Sequence, residues 1–197
     1  MNKKTVAILV FDDVEVLDFA GPFEVFAVTD ELRGYATFNV VTVAPAEGVV
    51  RARNGLHVVP DHTLESCPPA EILVVPGGFG TRALLRNDEV LAWVRARAAA
   101  AEIVMSVCTG ALVLARVGVL DGLRVTTHHE LLALLAELAP TAVVDAGARF
   151  HDNGRVLTAA GISAGIDCAL HVVRRELGAE AAEQTARYME YGPARGD

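Results

Sequence analysis

The chain has 197 residues, of which 52% are apolar and 21% are charged, a balance typical of a folded globular domain that excludes a disordered chain. Because 25 acidic residues outnumber 17 lysines and arginines, and no basic run exceeds two residues, nucleic acid is not an expected partner. The longest apolar stretch, 103–115, is too short to span a membrane, and the N-terminus does not resemble a signal peptide.

Runs of β-branched and aliphatic residues alternate with helical patterns along the chain. The predicted buried strands are Thr5–Phe11, Glu71–Val75 and Glu102–Val107. The predicted helices are Pro22–Leu32, Asp88–Ala101, Thr109–Val117, Glu130–Leu138 and Ser163–Leu177. This alternation predicts an α/β fold in which helices cover a mostly parallel sheet, and the length fits one domain over residues 1–197.

Two turn signals interrupt the alternation. The first is Asn54-Gly55 and the second is Asp152-Asn153-Gly154, and each lies between short apolar runs. Because asparagine and glycine accept the positive φ angles of tight turns, each segment predicts a β-hairpin.

The segment Ser106-Val107-Cys108-Thr109-Gly110 joins a predicted buried strand to a predicted helix, as in a nucleophile elbow. Small residues two positions before and after the cysteine permit the tight turn, and a helix N-terminus favours a thiolate by lowering the thiol pKa. Cys108 is therefore the candidate nucleophile. The alternative is a small buried core residue, which is the usual role of a free cysteine and the one predicted for Cys67 and Cys168.

The glycine-rich turn Pro76-Gly77-Gly78-Phe79-Gly80 follows the strand predicted at Glu71–Val75. Ligands of open α/β sheets bind at this carboxyl edge. The backbone N–H groups of Gly78 and Thr109 can then form a hole for a developing oxyanion. An ordinary strand-to-helix turn is the alternative.

Asp18 and the pair His128-His129 are further candidates at the same edge. Asp18 precedes a Gly-Pro helix start, where it is a helix cap, a solvated loop acid, or a carboxylate beside Cys108. The two histidines follow the strand-like run Leu123–Thr127, and alternation of side chains directs one of them toward the sheet edge.

The number and spacing of the cysteines favour free thiols over a disulfide or metal framework. An odd number of cysteines cannot all pair within one chain, so we expect a reducing, cytoplasmic setting. His57, His62 and Cys67 are spaced five residues apart, which suits no common zinc site, and no metal is predicted.

Taken together and in this order, these motifs resemble the ThiJ/PfpI family of the class I glutamine amidotransferase-like superfamily. The resemblance runs from Val6 to Tyr191 and includes the segment Ala160–Leu170. It implies a flavodoxin-like three-layer sandwich, commonly a homodimer, without a metal or organic cofactor. It also implies that Cys108 is the nucleophile and Asp18 its carboxylate partner. The residues it implies around the substrate are Gly77, Gly78, Thr109 and His128.

Within that family, an aspartate ahead of Gly-Pro-x-Glu-Val-Phe, combined with Ser-Val-Cys-Thr-Gly-Ala-Leu, is similar to the isonitrile hydratase branch. The resemblance implies hydration of a small-molecule isonitrile to an N-substituted formamide through a Cys108 thioimidate. A cofactor-free glyoxalase or deglycase acting on 2-oxoaldehydes, and a cysteine-based redox or ligand sensor, are the alternatives. Sensor halves of AraC-type regulators share the motifs, but we expect no helix-turn-helix domain in a sequence ending at Asp197. Family members often have tryptophan where this sequence has His129.

Overall fold

A computed structural model of the protein describes residues 3–192. Residues 1–2 and 193–197 of the predicted domain lie outside this description. The described strands are β1 (Lys4–Leu9), β2 (Phe38–Ala44), β3 (Val50–Arg51), β4 (His57–Val58), β5 (His62–Thr63), β6 (Ile72–Val75), β7 (Ile103–Val107), β8 (Arg124–Val125), β9 (Val143–Val144), β10 (Phe150–Asp152) and β11 (Val156–Ala159).

The helices alternate with these strands. They are α1 (Val16–Leu32), α2 (Thr81–Leu84), α3 (Asp88–Ala100), α4 (Gly110–Arg116), α5 (Leu132–Leu138), α6 (Ala164–Leu177) and α7 (Ala179–Tyr188). No helix within residues 3–192 is both long enough and apolar enough to cross a membrane.

Seven strands form the central sheet, in the order β10-β11-β7-β6-β1-β2-β5. Every neighbouring pair is parallel except β10 and β11, which are antiparallel. β6 and β7 are buried along their whole length, as expected for strands covered on both faces. The predicted α/β class with a mostly parallel sheet is therefore confirmed.

Helices cover both faces of the sheet in two separate groups. α1, α6 and α7 pack against one another on one face, whereas α2, α3, α4 and α5 form the other group. Aliphatic side chains of the sheet fill the space between the layers, including the fully buried Ile8, Leu73 and Met105. This arrangement is the predicted three-layer sandwich.

Both predicted hairpins are present, although their loops differ from the predicted two-residue turns in detail. β3 and β4 pair antiparallel, and the loop between them carries positive φ at Asn54 (62°) and Gly55 (91°). In the β10–β11 hairpin, the Asn153 N–H donates to the Val156 carbonyl at 3.0 Å, so the loop residues are Gly154-Arg155. Only Gly154 of that loop has positive φ.

The predicted start of the first helix is wrong. α1 begins at Val16, six residues before the predicted start, and Pro22 lies inside it. Proline is favoured in the first turn of a helix, because the N–H groups there have no partner within the helix and a missing one costs nothing. Here the helix extends on both sides of Pro22, and its buried residues pack against the rest of the fold. α1 and α6 approach so closely that a Cβ on Gly21 would lie 2.9 Å from the Ile166 side chain.

The strand-like run before the two histidines is also shorter than predicted. Only Arg124–Val125 is a strand, and it pairs with β9 outside the central sheet. The Thr126 N–H nevertheless donates to the Thr158 hydroxyl on β11 at 3.0 Å. The run therefore ends beside the carboxyl edge of the central sheet.

Candidate active site

Cys108 lies on the turn between β7 and α4, in a backbone conformation that residues with a side chain rarely adopt. Its φ is 55°. The Cys108 N–H is shared between the carbonyls of Ala159 (3.1 Å) and Ala160 (2.9 Å), and its carbonyl accepts a 2.7 Å hydrogen bond from the Thr127 hydroxyl. A Cβ on Gly110 would overlap the Val75 carbonyl. The sharp turn predicted from the small neighbours of Cys108 is therefore present.

Asp18 is fully buried in the first turn of α1, and it is neither a solvated loop acid nor a helix cap. Its Oδ2 accepts a 3.0 Å hydrogen bond from the Gly77 N–H, 59 residues away in sequence. Its Oδ1 has no hydrogen-bond partner among the described residues. An unsatisfied buried carboxylate oxygen is costly, which favours a protonated carboxyl or a donor in contact with it.

The Asp18 carboxyl and the Cys108 thiol influence each other's titration. Burial raises the pKa of Asp18 to about 7, and the nearby Glu15 charge adds to the rise, while the Gly77 N–H and the Cys108 thiol oppose it. Burial, followed by the Asp18 charge, raises the pKa of Cys108 to about 12. The two groups form a coupled pair, which retains one proton between these two values.

The low pKa expected for the Cys108 thiol is not found, although the helix N-terminus acts in the predicted direction. The Thr109 N–H does favour the thiolate, but desolvation and the Asp18 charge outweigh it. α4 is only seven residues long. A reactive thiolate at this site therefore requires the neighbouring carboxyl to hold the proton.

The glycine-rich turn positions side chains and does not offer the N–H of Gly78 to a substrate. That N–H donates to the Thr109 Oγ1 at 2.9 Å, and the Gly77 N–H is bonded to Asp18. At Gly78 φ is 125°, and a Cβ there would overlap the backbone of Asp13 and Glu15. The predicted oxyanion hole with a free Gly78 N–H is therefore corrected: both glycine N–H groups already have acceptors within the chain.

Two other backbone N–H groups favour the thiolate form of Cys108. Those of Thr109 and Ile162 both lower the Cys108 pKa, and the Ile162 N–H also acts on Asp18. Ile162 has a φ of 49°, which is a strained conformation for a β-branched residue. Ile162 was not among the predicted site residues, although it lies in the segment Ala160–Leu170 on which the family resemblance partly rests.

A cavity of about 270 Å³ opens over the thiol. Its lining residues are Glu15, Arg53, Gly78, Phe79, Arg82, Cys108, Thr109, His128, Glu130, Leu131 and Ile162. Seven of them had no assigned role at the sequence level, because no local pattern marks them as site residues: Glu15, Arg53, Phe79, Arg82, Glu130, Leu131 and Ile162. Among residues 3–192, no cluster of histidine, cysteine and acidic side chains is arranged to hold a metal ion.

His128 is the histidine that faces this cavity, whereas His129 is exposed. The two rings stack with centroids 4.3 Å apart, and the His128 Nδ1 accepts a hydrogen bond from the Glu130 N–H at 3.4 Å. Gly161 leaves space for the ring, since a Cβ there would lie 2.6 Å from the His128 Cδ2. One histidine of the pair therefore faces the cavity, as predicted, but the two rings lie against each other instead of pointing in opposite directions.

Comparison of the chain with known proteins identifies its family. The chain matches the DJ-1/PfpI family over residues 4–175. It belongs to the DJ-1/PfpI family. The ThiJ/PfpI resemblance inferred from the motifs is thereby confirmed.

Relatives within the DJ-1/PfpI family include both an enzyme and a regulator. The chain is 35% identical to isonitrile hydratase from Pseudomonas putida over 189 residues, covering 96% of this chain and 79% of that protein. It is 28% identical to the HTH-type transcriptional regulator GbdR from Pseudomonas aeruginosa, covering 91% of this chain but only 48% of that protein. The crystal structure of a ThiJ/PfpI family protein from Pseudomonas syringae superposes with a TM-score of 0.89 at 30% identity, covering all of this chain and 78% of that one.

Proposed function

We propose that this protein is a cysteine-dependent isonitrile hydratase, which converts R–N≡C and water into the formamide R–NH–CHO. The observation that carries the proposal is the coupled pair of Cys108 and Asp18 beneath the cavity, which holds one proton above about pH 7. The 35% identity to the Pseudomonas putida hydratase supports the choice of substrate.

The single proton of the pair rests on the Cys108 thiol, whose pKa is the higher of the two, and the first step begins when the ionised Asp18 takes that proton and leaves a thiolate. The sulfur attacks the terminal carbon of the isonitrile, and an S–C bond forms. That carbon takes the proton from Asp18, which leaves a thioimidate, R–N=CH–S–Cys108, and an ionised Asp18. A carboxyl whose pKa is near neutrality suits this transfer because it both gives and takes a proton easily.

In the second step, Asp18 acts as the base. It accepts a proton from water while the water oxygen bonds to the thioimidate carbon, and it passes that proton to the nitrogen, which gives R–NH–CH(OH)–S–Cys108. The C–S bond then breaks, the formamide leaves, and the hydroxyl proton returns to the Asp18–Cys108 pair as its single proton. Covalent catalysis thus replaces one difficult hydration with two easier additions.

The surrounding residues position the pair in this mechanism. The Gly77 N–H holds the Asp18 Oδ2, and the Thr109 hydroxyl links the elbow to Gly78. The Thr109 and Ile162 N–H groups stabilise negative charge on sulfur. His128 contacts the substrate from the cavity wall.

A glyoxalase or deglycase activity is the second candidate, because His128 lies in the cavity where it can move a proton on a hemithioacetal. A ligand sensor without turnover is the third, favoured by the 28% identity to a transcriptional regulator over 91% of the chain. All three functions use the same cysteine, so the substrate must distinguish them.

The test is a turnover screen of cyclohexyl isonitrile against methylglyoxal, with formamide and lactate as the measured products. We expect formamide from the wild type and none above background from Cys108→Ala. Cys168→Ala is the matched control and should keep wild-type turnover, since Cys168 is fully buried in α6. Lactate without formamide would favour the glyoxalase, and neither product would leave the sensor as the remaining candidate.

The proposed setting of this enzyme is a homodimer in the cytoplasm that acts on a small molecule. Apolar side chains remain exposed beside the cavity, with Phe79 54% and Ile162 38% exposed, as at surfaces covered by a second subunit. The three described cysteines are free thiols, which agrees with a reducing compartment. Light scattering of the purified protein measures its oligomeric state.

A further inference from the structure

Five side chains in the lining of the cavity are acidic or basic, and four of them form two pairs of opposite type. Glu15 lies 3.6 Å from the Arg53 guanidinium, and Glu130 lies 3.9 Å from the His128 ring. Both glutamates therefore have a basic neighbour inside the cavity lining. The remaining charged lining residue is Arg82.

Arg82 has no carboxylate within 4.0 Å among residues 3–192. Its guanidinium lies over the Phe79 ring, 4.3 Å from the centroid, and makes one long hydrogen bond of 3.5 Å to the Phe79 carbonyl. Stacking on an aromatic face restrains the plane of the guanidinium and leaves most of its N–H donors free. The cavity thus presents an oriented arginine fork with unused donors.

The net charge of the protein bears on which substrates Arg82 would favour. With a formal charge of −8 and a buried acid beneath the thiol, the surroundings repel an anionic substrate. A neutral substrate would need no cation at the cavity wall, whereas an acidic one would need a local positive charge to bind. A planar guanidinium matches a carboxylate, with which it forms two parallel hydrogen bonds.

We propose that Arg82 is a specificity-determining residue that binds a carboxylate on the substrate, so that the preferred substrates are isonitriles bearing an acidic substituent. This inference rests on the proposed hydratase function for the reacting group. The Cys108 sulfur attacks the isonitrile carbon while Arg82 holds the carboxylate at the other end. Phe79 supports the guanidinium.

The first experiment compares isocyanoacetate and 4-isocyanobutanoate with their methyl esters, which differ only in charge and one methyl group. We expect the wild type to prefer the acid over the ester in kcat/KM for at least one chain length. Arg82→Gln should reduce that preference by about tenfold while changing ester turnover little. Arg86→Gln removes the same charge from the exposed end of the same segment, outside the cavity lining, and should leave the preference unchanged.

The second experiment uses the thiol without any isonitrile. The rate of Cys108 alkylation is measured with anionic iodoacetate and with neutral iodoacetamide. The ratio of the iodoacetate rate to the iodoacetamide rate should fall several-fold in Arg82→Gln but not in Arg86→Gln. Suppose that the esters are hydrated, but that neither the preference for the acid nor the alkylation ratio changes in Arg82→Gln. This inference is then wrong, while the proposed hydratase function stands. If instead no isonitrile is hydrated but the alkylation ratio still changes in Arg82→Gln, the proposed hydratase function and its isonitrile substrates are wrong. Arg82 then keeps only its role in binding an anion.

Discussion

Cys108 and Cys168 are both buried thiols with an aspartate in the first turn of a nearby helix, yet only Cys108 lines a cavity. Asp18 accompanies Cys108 from α1, and Asp167 accompanies Cys168 within α6. Burial is the largest cause of a raised pKa for both thiols. A depressed thiol pKa is therefore not what distinguishes Cys108.

Two features do separate the two sites. Cys108 lines the cavity, whereas Cys168 is completely enclosed by the helix and its neighbours. Asp18 is fully buried with a pKa raised to about 7, whereas Asp167 is partly exposed and forms an ion pair with Arg149. Cys108 is a candidate nucleophile because a substrate can reach it through the cavity and because Asp18 can accept the proton of its thiol. Cys168 has neither feature and is a core residue.

The largest effect is expected from Asp18→Asn, which keeps the size of the side chain but removes the proton carrier. Turnover of cyclohexyl isonitrile should fall by roughly 10²-fold or more, the usual range for a general acid–base group. In the wild type kcat/KM should rise with pH through about 7, where the pair loses its first proton, and this inflection should be lost in the variant.

Asp167→Asn is the matched control for that variant, since it removes a first-turn aspartate beside the inert cysteine. It should retain wild-type turnover and the inflection near pH 7. Equal losses in the two variants would mean that the acids act only through folding, and wild-type rates in Asp18→Asn would remove Asp18 from the mechanism.

A smaller contrast is expected in alkylation of the cysteines. Limiting iodoacetamide at pH 8 should modify Cys108 at least tenfold faster than Cys67 or Cys168, because only Cys108 lines the cavity. Peptide mass spectrometry of the native protein measures the order, and urea-unfolded protein should label all three alike. Equal labelling in the native state would refute the distinction drawn from access.

The last contrast concerns the pH dependence of stability. Since the folded pKa of Asp18 is raised from 3.8 to about 7, its favourable contribution is complete below pH 3.8 and is lost as pH rises through 7. Asp18→Asn should therefore raise the free energy of unfolding at pH 8 by roughly 2–4 kcal/mol and change it little at pH 4. Urea unfolding at the two pH values measures this, and an equal effect at both would contradict a neutral buried Asp18.

Much of the fold was predictable because its signals are local. The buried strands β1, β6 and β7 are continuous β-branched runs, and glycine marks both hairpins. The strand β2 was not predicted, although its carboxyl half is buried like the others. Its sequence FNVVTVA includes polar residues that interrupt the apolar pattern, and only pairing with β1 and β5 completes the strand.

The elbow at Cys108 and the placement of Gly77, Gly78 and Asp18 at one sheet edge follow from the sequence by itself. The carboxyl ends of parallel strands converge, and small residues mark the turns that follow them. The tertiary structure alone decided which donors and charges meet there. It buried Asp18 in a helix, bonded it to an N–H 59 residues away, and placed Arg82 on the cavity wall. Local patterns encode dihedral preferences and burial, but hydrogen-bond partners and pKa values depend on groups that only the folded chain brings into contact.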